Sequence, residues 1–254
     1  MNLVKWLILA AVFCFSVSSS AAQNLLIYAG AGLIKPMEEL KQNFEQKYKV
    51  RVNIHYGSSG ELFGMIATGK YCDIFIPGAY KYTQDALKNG WIIQKSIKNL
   101  VLHIPVIVVP KGNPAHINTL SDLAKPGIKV ALGDPKSPAI GKVSKKLLTN
   151  LGIYKEVLKN TKVLAPTVNQ LLIYVALKQV DAAIIWQDLT AWAENKNKIQ
   201  IIPISPQNNI IKTIPTAITI ACKQKKLAAL FNEYISSPEG LKIWEKWGFK
   251  PCSK

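Results

Sequence analysis

The residues best suited to chemistry are Gly57, Ser58, Ser59 and Gly60, within the stretch Tyr56-Gly-Ser-Ser-Gly-Glu-Leu62. They follow the β-rich run Val50–His55 and open a run with helical spacing. A helix start leaves backbone N–H groups without partners and carries the positive end of the helix dipole. Two glycines let a guest approach that backbone, and two serines add hydroxyl donors. The chemistry on offer is capture of an oxyanion with no formal positive charge beside it. Ser58 or Ser59 can equally serve as an ordinary N-cap. Comparable corners recur at Tyr28-Ala-Gly-Ala-Gly32, Gly133-Asp-Pro-Lys-Ser-Pro138, Thr167-Val168 and Trp186-Gln187-Asp188. That recurrence favours ligand binding.

No catalytic set competes with this reading. His55 falls on a strand, His103 in a crossing segment and His116 in a polar loop, without the spacing of metal ligands or of a nucleophile and its base. Ser58 and Ser59 lack the flanks of a strained hydrolase nucleophile. Glu38 and Glu39 suit a helix start, Asp134 suits a turn before Pro135, and a lone Asp188 is weak evidence for catalysis. The sequence predicts a binding protein with no catalytic residue, no cofactor and no direct cation ligand.

The elements that position these corners alternate between β and α patterns. Strands are predicted at Leu25–Tyr28, Val50–His55 and Asp73–Ile76, with helices over 36–46, 59–68 and 81–89. A long β-rich run, Val101–Val109, is broken at Pro105. Alternation then resumes: strands at Lys129–Leu132, Val163–Leu164 and Ala182–Trp186, helices at Ile140–Leu151 and Thr167–Leu177. A loop-rich stretch, Ile202–Ile214, leads to a strand at Ala217–Ala221 and a last helix at Ser237–Trp247. This order argues for an α/β protein of two lobes, each a mostly parallel sheet with flanking helices, joined by two crossing strands. The lobes are expected to comprise residues 23–103 plus 212–254, and 104–211. Ligands of open α/β sheets sit beyond the C-terminal strand ends, so all five corners should face one cleft.

Residues 1–22 read as an export signal: Lys5, an apolar core Trp6–Val17, and small residues up to a cleavage point near Ala22. The apolar run is short for a bilayer span, and nothing later is long and apolar enough. A chain processed there has 232 residues, outside the cytoplasm. Losing one lysine and no acid lowers the formal charge from +17 to +16. Nucleic acid is rejected as a partner, because the lysines are scattered and no aromatic-basic motif accompanies them. Of Cys72, Cys222 and Cys252, the pair expected to bridge is Cys222 with Cys252. A monomer is expected.

The chain resembles the periplasmic molybdate-binding proteins of ABC uptake systems, a branch of the type II periplasmic binding proteins. The resemblance spans residues 24–251. It rests on Ala29-Gly-Ala-Gly-Leu33 with Pro36-Met-Glu-Glu-Leu40, on Tyr56-Gly-Ser-Ser-Gly60, and on Asp73-Ile-Phe-Ile-Pro-Gly78. It continues through Val109-Pro-Lys-Gly-Asn113, Thr119-Leu-Ser-Asp-Leu123, Ala131-Leu-Gly-Asp-Pro135 and Val180-Asp-Ala-Ala-Ile-Ile-Trp186. The resemblance implies a receptor that delivers molybdate or tungstate to a membrane ABC permease. Another oxyanion, a chelated metal or a small organic acid are the alternatives. Its implied ligand set is Gly32, Ser58, Ser59, Ala139 or Ile140, Val168 and Trp186. Two positions depart from the family: Gly32 replaces a serine hydroxyl, and Trp186 replaces a tyrosine.

Overall fold

The computed structural model describes residues 24–191 and 197–252. The expected export signal lies outside the described residues. From the start, β1 (Asn24–Gly30) turns through a short 3-10 segment, Ala31–Leu33, into α1 (Ile34–Tyr48). Then come β2 (Arg51–Gly57), α2 (Ser59–Ala67), β3 (Ile74–Ile76), α3 (Tyr80–Lys88), β4 (Lys98–His103) and β5 (Pro105–Pro110). The second half runs β6 (Val130–Gly133), α4 (Ala139–Asn150), α5 (Tyr154–Asn160), β7 (Thr161–Ala165), α6 (Val168–Ala176) and β8 (Ala182–Trp186). It closes with β9 (Ile199–Pro203), β10 (Lys212–Ile218), α7 (Lys225–Ser236), α8 (Pro238–Lys246) and β11 (Lys250–Pro251).

Two sheets result, of strand order β11-β4-β10-β3-β1-β2 and β7-β6-β8-β5-β9. Pairing is parallel where a helix crosses over, as in β2-β1-β3 and β7-β6-β8, and antiparallel where β4, β5, β9 and β10 cross between the lobes. The fold is a two-lobed α/β architecture. Local chemistry sets the ends of its elements. Pro36, Met37, Leu40 and Phe44 form the buried stripe of α1, and Lys49 ends that helix in the left-handed region. Ser237 caps α8 by accepting from the Gly240 N–H at 3.2 Å, with Pro238 at the first helical position.

Two expectations are corrected. The Ile202–Ile214 stretch is less loop-like than its prolines suggest: β9 extends to Pro203 and β10 begins at Lys212. Pro203 sits at a strand end and Pro206 starts a short 3-10 turn, so neither proline interrupts a ladder. The strand expected at Ala217–Ala221 therefore lies earlier. The Cys222–Cys252 bridge is absent, and all three described cysteines are free. Cys222 lies against Asp73 just past Ile218, whereas Cys252 lies against Thr213. Those two β10 positions are five residues apart, about 17 Å along a strand, well beyond the Cα spacing a disulfide tolerates.

Candidate functional site

The lobes meet around a cavity of about 40 Å³, room for a guest of a few heavy atoms. Gly32, Ser58 and Ser59 line it from the first lobe, and Ala139, Val168 and Trp186 from the second. Ala139 borders the cavity, whereas Ile140 is fully buried beside Gly133 and is not part of the wall. No lysine or arginine among the described residues lines the cavity.

Capping explains only one of the helix starts here. Ser58 is the N-cap of α2: its hydroxyl accepts from the Glu61 N–H at 3.2 Å, and the Glu61 carboxylate accepts from the Ser58 N–H at 3.2 Å. By contrast α4 follows Pro138, α6 follows Thr167, and the 3-10 segment follows Gly30, all without a side-chain cap. Pro138, Thr167 and Gly30 all border the cavity. The unpaired N–H groups of these starts thus gather around one small space. Ser59 adds to them. Its hydroxyl oxygen accepts from the Gly78 N–H at 3.0 Å, which leaves its own hydrogen to be donated.

Close backbone packing fixes the second-lobe wall. A Cβ at Gly133 would lie 2.9 Å from the Gly141 nitrogen, and one at Gly141 would overlap the Asp134 carbonyl while lying 2.7 Å from the Gly133 oxygen. Only glycine allows β6 and the first turn of α4 to approach so closely. Asp134 closes the intervening turn by accepting from the Lys136 N–H at 2.8 Å. At the cleft edge the Lys142 ammonium donates to the Tyr82 hydroxyl at 3.0 Å and lies 5.1 Å from that ring's centre, clasping α4 to α3.

The structure adds a pair that the sequence reading had left without a role. His103, on β4, lines the cavity and stacks on Trp186, with ring centres 4.2 Å apart and planes 7° from parallel. Its Nδ1 is 2.9 Å from the Gly78 carbonyl oxygen, and its Nε2 is 3.6 Å from Oδ1 of Asp188. Both side chains are buried. Burial pushes the Asp188 carboxyl well above the usual range and the His103 imidazole down to about 3. The one sequence signal was the place of Asp188, two residues beyond Trp186 in a corner already marked for the cleft. His55 and His116 are exposed, and among the described residues no cluster of His, Cys, Asp and Glu could hold a metal ion.

A two-lobed fold with a small cavity walled by helix starts is the architecture of a solute-binding protein. The chain belongs to the bacterial extracellular solute-binding proteins, whose family profile matches residues 25–250. It is 31% identical to a putative ABC transporter substrate-binding lipoprotein of Bacillus subtilis, over 92% of this chain and 89% of that one. Among solved structures, the substrate-binding domain of a putative molybdenum ABC transporter from Clostridium difficile superposes with a TM-score of 0.72. It is 25% identical, and the match covers 91% of this chain and all of that one. A sulfate-binding protein of Mycobacterium tuberculosis shares the fold with a TM-score of 0.80 at 18% identity, over 91% of this chain and 88% of that one. Among the described residues no helix is long and apolar enough to cross a membrane.

Proposed function

We propose that this chain is an extracytoplasmic receptor that captures a tetrahedral oxyanion, with molybdate or tungstate preferred, and delivers it to an ABC permease. The carrying observation is the gathering of uncapped helix starts and the Ser59 hydroxyl around a cavity that, among the described residues, no cationic side chain lines. In this reading residues 1–22 are the export leader and the protein acts as a monomer, without catalysis. Binding holds the lobes shut and stabilises the fold by mass action. Sulfate is the second reading, favoured by the Gly32 departure, which removes one hydroxyl donor. A small organic acid draws on Trp186, but His103 already covers one face of that indole.

Neutral donors suit a fully deprotonated dianion, because they cannot accept a proton that the ligand itself carries. A thermal-shift panel of molybdate, tungstate, sulfate, phosphate and iron at neutral pH should therefore show molybdate and tungstate stabilising more than phosphate. Equal shifts for phosphate and molybdate would remove the basis of the assignment.

Gly32→Ser tests the geometry directly. A Cβ at Gly32 meets only Val168 Cγ1 at 3.5 Å, an ordinary contact, and the backbone there is outside the left-handed region. The variant should fold, and an added hydroxyl reaching the anion contributes on the order of 1 kcal/mol, several-fold in affinity. Calorimetry of both proteins, with melts as a folding control, reads the change. A well-folded variant that binds molybdate more weakly would point to a ligand of another shape.

A further inference from the structure

Ser59, Gly78 and His103, which line the cavity, and Asp188 behind them are joined by contacts whose donor directions are constrained. The Gly78 N–H can only donate, so Ser59 Oγ accepts it and must send its own hydrogen elsewhere. The Gly78 carbonyl can only accept, so His103 Nδ1 carries a proton and donates it. In the neutral ring Nε2 is then a bare lone pair, and it faces Oδ1 of Asp188. A carboxylate there would set two acceptors against each other in a buried space. Both Asp188 side-chain oxygens and His103 Nε2 are buried without a hydrogen-bond partner among the described residues, and the 3.6 Å between Oδ1 and Nε2 is a few tenths of an ångström beyond hydrogen-bond length.

We propose that Asp188 is a neutral carboxylic acid that turns its proton to His103 Nε2, so that it holds the His103 ring on the Gly78 carbonyl and puts no bare charge behind the cavity wall. This deepens the oxyanion reading and rests on it for the ligand. Asp188 and His103 are positioning residues, and the proton also determines which charge the site accepts. Without it, a bare carboxylate would stand one ring behind the anion, in surroundings that screen poorly. Burial independently favours the same two neutral forms. Among the described residues, the elements around the pair offer no compensating cation inside. Lys212, opposite His103 on β10, is half-buried, while Lys250 on β11, Lys246 and Glu245 on α8, and Lys198 before β9 are exposed. Lys246 is already paired with Glu39.

The test combines nitrogen NMR of the ligand-free protein with calorimetric titration of sulfate and molybdate, which remain dianions from pH 6 upward. At pH 7 the His103 ring should carry its proton on Nδ1 alone. A proton on Nε2 alone, or on both nitrogens, overturns the assignment. Wild-type affinity should fall about tenfold between pH 7 and the alkaline range as the acid ionises. Asp188→Asn, whose amide can still donate to Nε2, should bind within about threefold of wild type at pH 7 and stay flat with pH, melts confirming that both proteins remain folded. A flat wild-type profile, or a parallel fall in Asp188→Asn, overturns the proposal. Should neither anion bind, the ring spectrum still decides the proton's place, and only the ligand reading fails.

Discussion

Ser59→Ala is expected to weaken oxyanion binding by about 1–3 kcal/mol, on the order of five- to 150-fold, the range for a lost bond to a charged group. The structure separates this effect from helix capping, because Ser58 and not Ser59 caps α2. The variant also leaves the buried Gly78 N–H without its acceptor. A modest drop in melting temperature should therefore accompany the loss of affinity. Calorimetry and a thermal melt on the same samples separate the two. Unchanged affinity with a lower melting point would make Ser59 a structural residue and remove the hydroxyl from the binding set.

Gly141→Ala should have the largest effect on stability. Its new methyl would collide with backbone atoms of Gly133 and Asp134, which cannot rotate away as a side chain would. Overpacking of this kind costs about 1–3 kcal/mol or more. At the upper figure the melting temperature of a protein this size falls by roughly 6–12 °C. The added bulk pushes on the first turn of α4, so Ala139 moves at the cavity wall and affinity falls as well. Gly64→Ala is the control, because a Cβ there meets nothing within 4 Å. A Gly141→Ala protein that melts like Gly64→Ala would show that the β6–α4 corner yields easily.

Most of the alternating architecture was legible because the β-rich runs are bounded by glycine and proline and the helices carry clear apolar stripes. The 182–186 strand has the expected ends, and most other predicted elements differ by a few residues. What escaped had competing signals. In α7 the residues Leu227, Ala228, Phe231, Tyr234 and Ile235 form a buried stripe at helical spacing, yet three lysines at 223, 225 and 226 precede it and resemble a solvated turn. The short α5 and the two-residue β11 owe their form to packing more than to local pattern. Within the cleft, the Gly- and Ser-rich corners were readable because their donors belong to the local backbone. His103 and Asp188 were not, because 85 residues separate them and neither has a chemical role until Trp186 and Gly78 bring them together.

The clasp between Lys142 and Tyr82 bears on timing. Its ammonium is exposed, and an exposed cation–π contact contributes only about 0.5–1 kcal/mol. A catch of that strength shifts any balance between parted and joined lobes by a few-fold at most. The long-lived shut form then depends on what lies inside. For the receptor proposed above, a permease that recognises the shut outline would meet few empty carriers, and the weakness of the rim contact would be a safeguard against futile docking.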